Sequence, residues 1–102
     1  MTTKLQLSIF LKEAEMSGEV ALHEAIVRRL LHLEIKGATV LRGWMGYGRH
    51  GHLHHKRLLG ISDDRPIVIL AIDDPEKIHG VLPELRLLAP NSLITLQEVS
   101  VV

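Results

Sequence analysis

Three glycines, Gly46, Gly48 and Gly51, are interleaved with Tyr47, Arg49 and His50 in the stretch Gly-Tyr-Gly-Arg-His-Gly-His of this 102-residue chain. Glycine accepts positive φ and close backbone approach, so successive N–H groups there can converge on an anion. Arg49 adds a planar guanidinium suited to phosphate or carboxylate oxygens. Arg42, Lys56, Arg57 and Arg65 thicken the positive charge around it. Spacing alone leaves two readings open: a cradle for phosphate, or glycines that merely let a long hairpin loop bend.

A second constellation is His50, His52, His54 and His55. On an extended strand His50, His52 and His54 point the same way, and neutral imidazoles in such a set can hold Zn, Ni or Cu. Against this, no Asp or Glu lies between Gly46 and Leu59, and a basic surround disfavours a dication. The competing reading is a solvated loop whose histidines join an anion site or titrate near neutral pH. His23, His32 and His79 read as surface residues of helices, and Lys77 and Arg86 as solvated helix faces. Asp63-Asp64 and Asp73-Asp74 resemble paired carboxylates, but one pair suits a turn and the other a helix cap. No nucleophile sits beside either pair, so the expectation is that the protein is not an enzyme.

These residues need a scaffold, and hydrophobic periodicity supplies one. Leu5, Leu7, Ile9 and Leu11 alternate with Gln6, Ser8, Phe10 and Lys12, the pattern of a strand with one buried face. Leu22, Ala25, Ile26, Leu30 and Leu33 recur at helical steps, with Ser17 placed to cap the start and Gly37 to end the helix. A strand is expected from about Ala38 to Met45, then a long exposed loop or splayed hairpin over 46–57. Pro66 to Ile72 is a continuous apolar run, read as a strand covered on both faces. Asp74 and Pro75 open a second helix with the stripe Ile78, Val81, Leu82, Leu85 and Leu88, stopped by Pro90. Ser92 to Val101 reads as the last strand, with a bulge or a strand end expected near Gln97 and Glu98.

The order βαββαβ is the split arrangement of an α+β, ferredoxin-like fold, with an antiparallel sheet and two helices on one face. The length suits one domain spanning 1–102. The second sheet face has no cover within the chain, which predicts a homo-oligomer. Twelve basic and twelve acidic residues balance, against a dedicated nucleic-acid binder. There is no cysteine, and hence neither disulfide nor thiolate chemistry. No apolar block resembles a signal peptide or a membrane span, so a cytoplasmic location is expected.

The segment Gly37-Ala-Thr-Val-Leu-Arg-Gly-Trp-Met-Gly-Tyr-Gly48 resembles the start of the mobile loop of PII signalling proteins. It resembles still more a family of uncharacterised PII-like proteins, and that likeness continues through Ser62-Asp-Asp-x-Pro-Ile-Val-Ile, in which x carries no part of the match, and Asp73-Asp-Pro-Glu-Lys-Ile78. The resemblance implies a homotrimer with an adenine-nucleotide site in the cleft between subunits. Thr39 would lie near the base, and Gly46, Tyr47, Gly48 and Arg49 would hold phosphates. The loop beyond Arg49 would respond to ligand and engage a partner, such as a membrane transporter or channel. The stretch from Gly37 to Gly46 is one residue longer than in true PII proteins, which predicts a bulge at Gly43. Leu88-Ala-Pro-Asn-Ser-Leu93 lacks the glycine and lysine of their second phosphate loop, and no counterpart of their modified tyrosine is evident. AMP or ADP, or a cyclic nucleotide, is therefore the expected ligand in place of tightly held ATP.

Overall fold

A computed structural model of the chain describes residues 1–48 and 64–102, with the backbone alone at 54–55. Strand β1 (Thr2–Lys12) lies inside a four-stranded antiparallel sheet between β7 (Pro66–Asp73) and β8 (Leu93–Val101), with β4 (Ala38–Arg42) on the far side of β7. Its alternating side chains fix the register. Leu7 sits opposite Ala71 and Leu96, and Ile9 opposite Ile69 and Ile94, all on the face covered by helices. The sheet and helix order is ferredoxin-like, as the periodicity predicts.

Helix α1 (Leu22–His32) turns Leu22, Ile26 and Leu30 into the core, and α2 (Pro75–Leu88) contributes Ile78, Val81 and Leu85. Together with Leu5, Leu7, Ile9, Leu11, Ile67, Ile69 and Ala71 they form one aliphatic core between helices and sheet. Non-directional burial of such side chains is the main stabilising contribution in a chain with so few aromatics.

Three expectations about local structure are corrected. Ser17 does not cap α1: it belongs to a short ladder of β2 (Met16–Ser17) with β3 (Val20–Ala21), turned by Gly18 at φ +62°. The helix N-cap is Ala21, whose side chain has no polar atom to offer. Gly37 does not end α1 either. Glu34 takes the left-handed conformation, φ +64°, so that its N–H donates to the Leu31 carbonyl and that of Ile35 to Leu30, each at 3.0 Å. This is a Schellman closure built on a non-glycine residue. In β8 the pairing runs unbroken through Gln6 opposite Gln97 and Leu5 opposite Glu98 as far as Val101, so there is neither a bulge nor a strand end there. Glu98 and Ser100 are exposed on the helix-side face near the end of an edge strand, and there the apolar alternation ends.

Pro83 lies within α2, although proline removes one helical donor. It is exposed, as are His79, whose carbonyl it frees, and Gly80, so water can satisfy that oxygen. The run Pro66 to Ile72 is covered on one face only within the chain. Ile67, Ile69 and Ala71 are buried under the helices, whereas Val68, Leu70 and Ile72 look out from the uncovered face. There the register places Leu41, Val68, Phe10 and Leu93 in one apolar row across all four strands.

Candidate functional site

The glycine-rich segment is rooted where β4 and β7 part. The strand expected through Met45 divides at Gly43: β4 stops at Arg42, opposite Ile67, and the chain pairs again as β5 (Met45–Gly46) with β6 (His54–His55). The physical reason is Pro66. The Gly43 N–H donates to the Pro66 carbonyl at 2.7 Å, and a Cβ on Gly43 would stand 2.6 Å from Pro66 Cγ. Only glycine allows the backbone so near that ring. At Gly43, where the sequence predicts a bulge, the strand breaks. The segment expected to be loop or splayed hairpin has a hairpin stem, with Gly46 opposite His54 and Met45 opposite His55.

The stem is tied by side chains from three segments. Arg42 forms a two-point ion pair with Glu13, Nε to Oε2 at 2.9 Å and Nη2 to Oε1 at 3.1 Å. The Glu13 N–H donates to the Arg65 carbonyl at 2.8 Å, and the Ala14 N–H donates to Asp64 Oδ1 at 2.6 Å. Asp64 therefore anchors the turn before β7, as its place in the sequence suggests. The Arg65 guanidinium lies over the Trp44 indole, 5.2 Å from the ring centroid, a cation–π contact. Its Nε is buried without a hydrogen-bond partner.

The residues singled out from the sequence fall in two places. Gly46 is partly buried against Pro66, while Tyr47 and Gly48 are exposed, Tyr47 at 74% and Gly48 with open space around its α-carbon. These three are contiguous at the stem. Thr39 lies elsewhere, exposed on β4 opposite Leu70 on the uncovered face. Arg49, His50 and His52 lie outside the described residues, and at His54 only the backbone is described.

Asp73 and Asp74 are each engaged by groups of the fold. Asp73 is fully buried; burial pushes its pKa up, but N–H donation from Asp74 (2.7 Å) and Lys36 (3.0 Å), with the charges of Lys77 and Lys36, brings it below 3.8. Asp74 occupies the N-cap position of α2, yet its carboxylate makes no capping bond. It pairs instead with Lys4, whose hydrogen bond and charge lower its pKa. Both carboxylates are held ionised, which suits structure better than proton donation.

Lys77 and Arg86 are not simply solvated. Lys77 Nζ donates to the Glu34 carbonyl at 2.7 Å. Arg86 Nη1 lies within hydrogen-bonding distance of the Ala89, Pro90 and Ser92 carbonyls at 3.1, 3.1 and 2.9 Å. The turn after α2 thus directs its carbonyls at an arginine of the preceding helix. His23 is partly buried, with an unpartnered Nδ1, beside a groove of about 540 Å³ lined by α1 and Val40 of β4. His32 and His79 are exposed. The Arg42–Glu13 and Arg65–Trp44 contacts escape sequence reasoning because nothing in local spacing links their partners; the strand register alone brings them together.

Among the described residues no helix is long and apolar enough to cross a membrane. In fold, the chain is similar to CPII, a nitrogen regulatory PII-like protein from Thiomonas intermedia K12. One CPII structure, bound to ADP, AMP and bicarbonate, superposes with a TM-score of 0.72 at 21% identity, covering 98% of this chain and 89% of that one. Another, bound to ADP and bicarbonate, gives 0.71 at the same identity and coverage. In sequence, a UPF0166 protein of Aquifex aeolicus (strain VF5) is 32% identical over 99 residues, covering 97% of this chain and 93% of the relative. The UPF0166 protein MJ1524 of Methanocaldococcus jannaschii is 31% identical over 93 residues, covering 90% and 85%. Residues 4–101 match the family DUF190, described as "Uncharacterized ACR, COG1993", and the chain belongs to that family.

Proposed function

We propose that this protein is a PII-like regulator without catalytic activity, which binds AMP or ADP in clefts between the subunits of a homotrimer. The observation that carries the reading is the likeness of fold, over nearly the whole chain, to a PII-like protein bound to ADP and AMP. The stem supports it. Gly48 presents backbone with open space around its α-carbon, and Tyr47 beside it is exposed, while Gly46 rests against the Pro66 ring. Backbone N–H groups at such a turn suit phosphate oxygens. Thr39 would take the base side of the cleft and Arg49 would add to the phosphate contacts. Because Thr39 and the stem lie on different parts of one subunit, a cleft completed by a neighbouring subunit suits both.

The uncovered sheet face supports the trimer. Leu41, Phe10 and Leu93 are exposed in the row they share with Val68, and such a row is better covered than wet. Nucleotide would act through the 46–65 segment on affinity for a partner protein, of the membrane transporter or channel kind, from a cytoplasmic position. The test is calorimetric titration with AMP, ADP, ATP and cyclic AMP, with Zn and Ni in parallel, alongside sedimentation. Saturable binding of one adenine nucleotide per subunit by a trimer is expected. A stable monomer, or metal uptake without nucleotide binding, overturns the reading.

A further inference from the structure

We infer that Arg65, held on the face of Trp44, is a phosphate-binding residue of the nucleotide site; the inference rests on the nucleotide reading above. Two arginines of the described stem face different surroundings. Arg42 is engaged by the Glu13 carboxylate at two points. Arg65 faces an aromatic ring, and its Nε–H is buried with no acceptor. A ring face attracts the cation but accepts no in-plane hydrogen bond, so the donors around the guanidinium edge are left for an acceptor in that plane. Phosphate is the ligand class that matches a planar fork of N–H donors beside exposed glycine backbone.

The position fits. Arg65 is followed by Pro66, which lies against Gly43 and whose ring comes within 3.4 Å of a Cβ built on Gly46. The Arg65 main chain is pinned by the Glu13 N–H, so its side chain starts from a fixed point at the root of the Gly46–Gly48 stretch. The Nε–H edge is covered in this state. An oxyanion reaches it only if the Arg65 side chain moves, and because its guanidinium rests on Trp44 such a movement would change the surroundings of the indole. Trp44 is the chain's single tryptophan, so its emission reports that contact without a label.

The experiment titrates the full-length protein, Arg65→Gln and Arg65→Lys with ADP, adenosine and inorganic pyrophosphate, by calorimetry and by Trp44 fluorescence. Circular dichroism and sedimentation establish that each variant keeps the wild-type fold and assembly. Wild-type protein is expected to bind ADP with a change in Trp44 emission. Arg65→Gln should weaken ADP by about 10- to 100-fold, the effect of removing a charge-assisted hydrogen bond. Adenosine, which has no phosphate, should bind wild type and variant alike. Arg65→Lys keeps the charge and loses the fork, so an intermediate loss is expected, and it decides the matter if Arg65→Gln does not fold. ADP affinity within about twofold of wild type in a folded variant overturns the inference and leaves the nucleotide reading intact. If wild-type protein binds no adenine nucleotide, that reading fails. The inference then survives only if pyrophosphate changes Trp44 emission saturably in wild type and not in the variants.

Discussion

Replacing Gly43 by alanine puts a methyl group where the structure has none to spare. The added Cβ would lie 2.6 Å from Pro66 Cγ, 3.3 Å from the Pro66 carbonyl oxygen and 3.4 Å from Pro66 Cβ. Carbon atoms are normally about 3.5–4.0 Å apart, so the first contact is about 1 Å too short. The obstacle is a proline ring, which cannot rotate away, and its carbonyl holds the Gly43 N–H. Relief therefore requires moving the start of β7, which pairs with the end of β1 through Pro66 opposite Lys12. Overpacking of this kind costs about 1–3 kcal/mol. For a domain of this size that lowers Tm by roughly 5–20 °C. Gly46→Ala meets the same ring at 3.4 Å and Gly48→Ala meets nothing within 4 Å, so the three form a graded series. Urea denaturation at one fixed protein concentration should rank the losses Gly43 first, Gly46 second and Gly48 near zero, with unchanged m. Equal midpoints for Gly43→Ala and Gly48→Ala would refute the steric account of the strand break.

Glu34→Gly should stabilise the protein by about 1 kcal/mol in the same assay, because a left-handed backbone is costly for any residue with a Cβ. Arg86→Ala removes the side chain that donates into the turn carbonyls of Ala89, Pro90 and Ser92, and should destabilise by about 1–2 kcal/mol. Asp73 has a folded-state pKa below its unfolded 3.8, so its stabilising contribution is complete above pH 3.8 and is lost as pH falls through the lower folded value. Acid titration of stability should accordingly flatten below pH 3.8 in Asp73→Asn, and a slope equal to wild type would contradict the assigned hydrogen bonds. Phe10→Glu places a charge in the middle of the apolar row and should shift the sedimenting species to monomer, while an unchanged mass would remove that face from the interface.

Periodicity carries most of the fold into view. The alternation of Leu5 to Leu11 and the helical steps from Leu22 to Leu30 reflect burial against a single core, and burial leaves its mark on composition. What stays hidden depends on geometry between distant segments. Ala38 to Met45 reads as one strand because its residues suit a strand; the division comes from Pro66, which is remote in sequence. Ser17 reads as a cap because serine often is one, yet with Gly18 it also suits a tight turn, and pairing of Met16 with Ala21 decides for the turn. Glu34 is illegible as a helix end because glycine is the usual choice and Gly37 stands close by. At the site, the glycines are visible as backbone chemistry. Arg65 reads only as background charge, since its ring partner is supplied by the register of β4 on β7.

The place of β1 in the sheet has a consequence for how the protein is made. Both neighbours of this strand lie far downstream: Leu5 faces Asp73 on one side and Glu98 on the other. During synthesis β1 leaves the ribosome with Leu5, Leu7, Ile9 and Leu11 formed for burial and neither neighbouring strand yet translated. Until β7 arrives it can gain no sheet hydrogen bond, and until β8 follows one of its edges stays open. Long-range pairing of this kind is slow to form and leaves apolar strand exposed in the interval. In that interval β1 is open to non-native pairing, and a chain truncated before β8 loses a flank of this inner strand.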